Sequence, residues 1–122
     1  MAGTIVADTL QDGAGNSTAM DNAIYGSAKA WVNFNGSTST INGSYNVSSI
    51  TATGTGRYTV NMTNAMANTN YSVVVSGCQS TSTGENRWIG CATSTTSAFF
   101  IAANDSNGAQ INLPQVFASV FR

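Results

Sequence analysis

The sequence predicts an all-β chain: an antiparallel β-sandwich-like domain behind a short extended and helical N-terminal leader. Three features carry that expectation. Apolar residues alternate with polar ones over short runs from residue 28 onward. Turn signals rich in Gly, Asn and Asp separate those runs at short, even intervals. Ser, Thr and Asn supply 15, 16 and 14 of the 122 residues, a composition that disfavours helix and favours strands and turns. The length suits one domain with a real core, divided into a leader over residues 1–27 and a sandwich over 28–122.

The leader opens with an extended piece, Thr4 to Leu10, followed by a turn at Asp12-Gly13-Ala14-Gly15. Ser17 to Tyr25 reads as two helical turns, with Ala19/Ala23 and Met20/Ile24 as i, i+4 pairs, Asn16 or Ser17 as cap and Gly26 just past the end. So short a helix needs neighbours to pack against, and copies of itself are the expected ones.

In the sandwich, Ala28, Ala30, Val32 and Phe34 share one strand face, and Asn35-Gly36-Ser37 closes a hairpin. Ile41 to Ile50 reads as one strand. Thr53-Gly54-Thr55-Gly56 breaks the chain before Arg57 to Met62, which sets Tyr58, Val60 and Met62 on one face. Tyr71 to Cys78 is valine-rich, with Trp88 to Cys91 as its expected hairpin partner. Phe99 to Ile101 forms another strand, closed by Asp105-Ser106-Asn107-Gly108. The segment from Gln110 to Phe121 ends the set, with Val116, Ala118 and Val120 on one face and Phe117, Ser119 and Phe121 on the other. Pro114 cannot donate to a ladder, so this last strand is expected at an edge or bulged nearby.

The last two strands are apolar on both faces. A subunit interface covers such a second face, and a thick core with bulges is the other reading. Cys78 and Cys91 lie equidistant from Gly84-Glu85, so a hairpin centred there sets the two thiols opposite each other. They are a possible disulfide or two small core residues.

Four Lys+Arg, five Asp+Glu and no histidine leave a net charge of −1. This offers no phosphate-neutralising patch, so nucleic acid is not an expected partner. The five acids, Asp8, Asp12, Asp21, Glu85 and Asp105, are scattered and no imidazole base exists, so no catalytic residue is assigned and the chain reads as a non-enzyme. Two thiols without histidine leave a zinc shell half empty, and Asp105-Ser106-Asn107-Gly108 lacks the further ligands of a calcium loop; neither metal nor cofactor is expected. No apolar run approaches the about 20 residues of a membrane span, and residues 1–6 show no basic, apolar secretion signal. One loop gathers varied chemistry: Gln79, Glu85, Asn86, Arg87 and Trp88 bring amides, a carboxylate, a guanidinium and an indole. Such groups bind sugar hydroxyls and the apolar side of a pyranose. The same mixture also makes an ordinary surface loop in which Arg87 pairs with Glu85 and Trp88 is core.

Four blocks stand out: GSAKAWVNFNG at 26–36, YNVSSI at 45–50, GTGRYTVNMTNAM at 54–66 and NYSVVVSG at 70–77. In this order they resemble a module of tailed-bacteriophage tail fibres and related virion fibre proteins, often from marine phages. The leader from Val6 to Asp12 is similar to what precedes the module in short phage fibre proteins. The resemblance covers residues 4–75 and thins over 76–110. It marks a family, contains no catalytic motif and assigns no functional residue. It implies a virion structural protein, a homotrimer made in the host cytoplasm and displayed on the particle to touch a host surface glycan. Typical fibres carry a large N-terminal attachment region; with 27 residues before the module, attachment to other virion proteins falls to the leader, through Thr4, Ile5, Val6 and Leu10. A capsid decoration, head fibre or connector without a ligand is the alternative.

Overall fold

The computed structural model describes residues 3–79, 87–93 and 95–122. Alternation of branched or aromatic residues with Ser, Thr and Asn produces the strands, and the two central strands of each large sheet bury one face. Strands β3 (Ala30–Asn35), β4 (Thr40–Tyr45), β7 (Ser72–Cys78) and β10 (Gln115–Phe121) form one antiparallel sheet in the order β4-β3-β10-β7. Strands β5 (Val47–Gly54), β6 (Arg57–Met62), β8 (Trp88–Thr93) and β9 (Ala98–Asn104) form the second, in the order β5-β6-β9-β8. The leader holds a separate hairpin of β1 (Thr9–Gln11) and β2 (Ser17–Ala19), then helix α1 (Met20–Gly26). The all-β sandwich expectation is met.

The core lies between the two sheets. Ala30, Val32 and Phe34 of β3 and Val116, Ala118 and Val120 of β10 face Tyr58 and Val60 of β6 and Phe99, Ile101 and Ala103 of β9. The Phe34 and Tyr58 rings meet edge to face at 5.2 Å, a geometry that suits their quadrupoles. Removing either ring by Ala substitution costs about 3–5 kcal/mol through lost transfer energy and the residual cavity. The Tyr58 hydroxyl reaches Asn112 Oδ1 at 3.1 Å, and the same oxygen accepts from Gly56 N at 2.7 Å. Gly56 turns β5 into β6 at φ +64°, and a Cβ there would sit 2.7 Å from the Ile111 carbonyl oxygen, so only glycine fits. Tyr71 ties β7 to the approach of β9: its hydroxyl lies 2.8 and 2.9 Å from the carbonyls of Thr95 and Ala98.

The structure corrects several expectations. Ile41 to Ile50 is not one strand. Asn46 takes φ +54°, the left-handed region that Asn tolerates, and there the chain leaves one sheet for the other. Residues Ser17 to Ala19 pair as β2 with Thr9 to Gln11 instead of opening the helix, because the Asp12 turn brings the two segments together. The helix therefore starts at Met20, without a side-chain cap, and includes Gly26. Of Thr4 to Leu10, only Thr9 and Leu10 lie in a strand.

Strand β10 is central, not an edge. Pro114 precedes its first residue and breaks no ladder bond. Strands β7 and β8 are not hairpin partners; they close the same side of the sandwich from different sheets.

The disulfide expectation fails with that hairpin. Cys78 and Cys91 are both free thiols. Cys78 pairs in register with Gln115 and its Sγ donates to Gln115 Oε1 at 3.1 Å. Cys91 Sγ donates to the Val73 carbonyl at 3.3 Å. Val73 precedes Cys78 by five residues on an extended strand, about 16 Å at roughly 3.3 Å per residue, beyond the reach of a disulfide.

Candidate functional site

The residues singled out for ligand binding lie around the junction of β7 and β8. Glu85 and Asn86 fall outside the described residues. Gln79 follows β7 and is half-buried, Arg87 is half-buried, and Trp88 opens β8 with 72% of its surface exposed. Trp88 is thus not a core residue. It stands opposite Asn104 in the β8–β9 register, above the turn that follows β9.

That turn is held firmly. Asp105 Oδ1 accepts from Asn107 N at 2.8 Å and from Ala109 N at 2.9 Å. Gly108 supplies φ +83° and donates its N–H to the Asp105 carbonyl at 3.1 Å. The carboxylate that opens the faint calcium-loop pattern is spent on backbone N–H groups. Among the described residues no cluster of His, Cys, Asp and Glu suits a metal ion.

Between Trp88 and the turn lies an open pocket of about 230 Å³, lined by Trp88, Asn104, Ser106 and Gly108. It offers an indole, an amide and a hydroxyl on a rigid frame. These groups can stack on and hydrogen-bond to a neutral polar ligand. Sequence reasoning missed Asn104, Ser106 and Gly108 as companions of Trp88. The turn itself was legible, but its place beside Trp88 depends on β8 pairing with β9 instead of β7.

The second candidate surface is the leader. Thr4, Ile5, Val6 and Leu10 are all exposed, Ile5 at 87% and Val6 at 93%. Both strands of its hairpin are exposed throughout, and α1 buries no residue, leaving Ile24 and Tyr25 open. Its turn is nevertheless ordered by chemistry. Asp12 accepts from the N–H groups of Ala14 and Asn16 and from Asn16 Nδ2, and the Asn16 side chain foremost holds the carboxyl below its ordinary range. Helix α1 approaches the sandwich beside a cleft of about 530 Å³ lined in part by Tyr25, Lys29, Asn46 and Met66. The Lys29 ammonium bridges the Ile24 carbonyl and Ser27 Oγ there.

The outer sheet faces are apolar in patches. One carries Trp31, Tyr45, Val74 and Phe117, adjacent through the β4-β3-β10-β7 register. The other carries Phe100 over a floor of Gly90, Ala92 and Ala102. The second faces of the last two strands are therefore open within the chain, not enclosed by a thick core. No helix among the described residues is long and apolar enough to cross a membrane.

No protein-family model matches the chain, and no curated protein or solved structure matches it either.

Proposed function

We propose that this chain is a virion structural protein, a short fibre module of a tailed bacteriophage. It assembles as a homotrimer, attaches to other virion proteins through the leader and presents its sandwich to a glycan on the host cell surface. It performs no chemistry of its own. The observation that carries the reading is the leader: a hairpin and helix with Ile5, Val6, Leu10, Ile24 and Tyr25 exposed, an apolar surface suited to burial against another chain. The fibre-module resemblance of residues 4–75 supports the virion setting, and the Trp88 pocket supplies a sugar-sized, uncharged contact. Weak sites repeated on identical copies gain avidity without tight single-site binding. A contact without ion pairs also keeps adsorption nearly constant across ionic strength.

Immunogold labelling of intact particles with an antibody to the sandwich tests the assignment. Label at fibre tips or tail is expected; particles free of the protein overturn it. Trp88→Ala separates receptor contact from a decoration or connector role. Host adsorption falls under the first and stays at the parental rate under the second.

A further inference from the structure

We infer that the leader is an exchanged arm: Thr4–Leu10 of one copy lies extended across the outer face of the β5-β6-β9-β8 sheet of a second copy, with Val6 beside Phe100 and Asp8 against Arg57. This rests on the proposal that the leader mediates assembly, and specifies where it docks.

The charges are divided between the two parts. Asp8, Asp12 and Asp21 are the only charged residues of the leader, whereas all four cations belong to the sandwich, with Glu85 and Asp105. An anionic, apolar arm therefore accompanies a cationic domain, and opposite potentials favour their docking between copies. The arm does not lie on its own sandwich, because Ile5 and Val6 are almost fully exposed.

Among the described residues, the outer face of the β5-β6-β9-β8 sheet carries a cation within its strand register, whereas Lys29, which precedes β3 beside the other face, is taken up by the Ile24 carbonyl and Ser27 Oγ. The Trp31, Tyr45, Val74 and Phe117 face carries polar companions such as Asn33 and Ser119, and no charge lies in its shared register. On the other face Arg57 pairs in register with Ala102, and Thr59 with Phe100. Beside Phe100 are two depressions, one of about 260 Å³ reaching Thr53, Arg57 and Ala102, the other of about 220 Å³ over Gly90 and Ala92. Each admits a branched aliphatic side chain. With the Gln110 amide turned to suit its neighbours, its oxygen accepts from Arg57 Nε and Nη2, which anchors the guanidinium on the sheet.

The spacing agrees. The single chain bends at Asp8; drawn out along a second copy, the arm projects Val6 and Asp8 from the same side, about 6.8 Å apart. Phe100 and Arg57 are diagonal neighbours across β9 and β6, about 7–8 Å apart. An arm with Val6 at Phe100 thus brings Asp8 to Arg57.

Sedimentation velocity of the full chain over a concentration series tests this. Wild type is expected to sediment as an oligomer. Asp8→Arg and Arg57→Asp are each expected to weaken association by about 10-fold or more, because each sets like charges together. The double variant is expected to recover association, and Phe100→Ser to weaken it without touching a charge. Circular dichroism confirms that each variant is folded. Arg57→Asp and Phe100→Ser with wild-type association overturn the docking site, and a double variant as weak as the singles overturns the Asp8–Arg57 contact. If Ile5→Asn with Val6→Asn dissociates the oligomer while the Arg57 and Phe100 variants do not, the leader still assembles the protein but docks elsewhere. If that pair leaves association intact, or wild type is a monomer throughout, the leader reading fails with it.

Discussion

Replacing Asn46 tests how the two sheets are joined. Its Nδ2 donates to the carbonyls of Lys29 and Asn64, both at 3.1 Å, and its Oδ1 accepts from Asn64 N at 2.7 Å. Lys29 precedes β3 in one sheet and Asn64 follows β6 in the other, so one half-buried side chain links both layers where the chain crosses between them. Its backbone sits at φ +54°. Asn46→Ala removes three hydrogen bonds worth about 1 kcal/mol each and adds about 1 kcal/mol for a left-handed alanine, about 4 kcal/mol in all. Asn46→Gly loses the hydrogen bonds but not the conformational fit, so it costs about 3 kcal/mol. For a chain of this size each kcal/mol moves the melting temperature by about 3–6 °C. Thermal unfolding at one fixed protein concentration should rank wild type above Asn46→Gly, and Asn46→Gly above Asn46→Ala. Asn46→Ala melting with wild type would refute the stitch, and Asn46→Ala equal to Asn46→Gly would refute the left-handed component.

Three further outcomes are expected. Gly56→Ala should cost about 3 kcal/mol or more in urea unfolding, from its positive φ and from crowding against backbone carbonyls; a neutral result contradicts the close approach. Burial raises the Tyr58 hydroxyl above its ordinary value of 10.0, so the native state holds that proton more tightly than the unfolded chain. Stability is then fully present below about pH 10 and declines as pH rises above it, and Tyr58→Phe should flatten this alkaline decline; an unchanged pH profile contradicts the assignment. Mass spectrometry of alkylated, unreduced protein should find two modified thiols, Cys91 reacting faster because it is exposed while Cys78 is half-buried, and a mass two hydrogens short with no alkylation contradicts the separation of β7 and β8.

The strand content and most of the inward faces were legible from local sequence. Alternation is a local property, and Ala30, Val32, Phe34, Tyr58, Val60, Phe99, Ile101, Val116 and Val120 are buried as their parity requires. Turn chemistry at Asp12, Asn35 and Asp105 was equally local, each side chain accepting from backbone N–H groups two to four residues ahead. Partner choice was not local. Ser72–Cys78 and Trp88–Thr93 satisfy a hairpin pattern, yet Val73, Val75 and Gly77 gain more by joining β10, and Ile89 by packing over the core from the opposite sheet. From that one decision follow the free thiols, the central place of β10 and the meeting of Trp88 with Asn104 and Ser106. The Asn46 crossing escaped for a related reason: a single left-handed residue leaves apolar alternation intact on both sides, and only long-range hydrogen bonds to Lys29 and Asn64 make that conformation favourable. Periodicity reports which face of a strand is buried. Which strands lie side by side is decided by the summed packing of the whole core, which no short window of sequence contains.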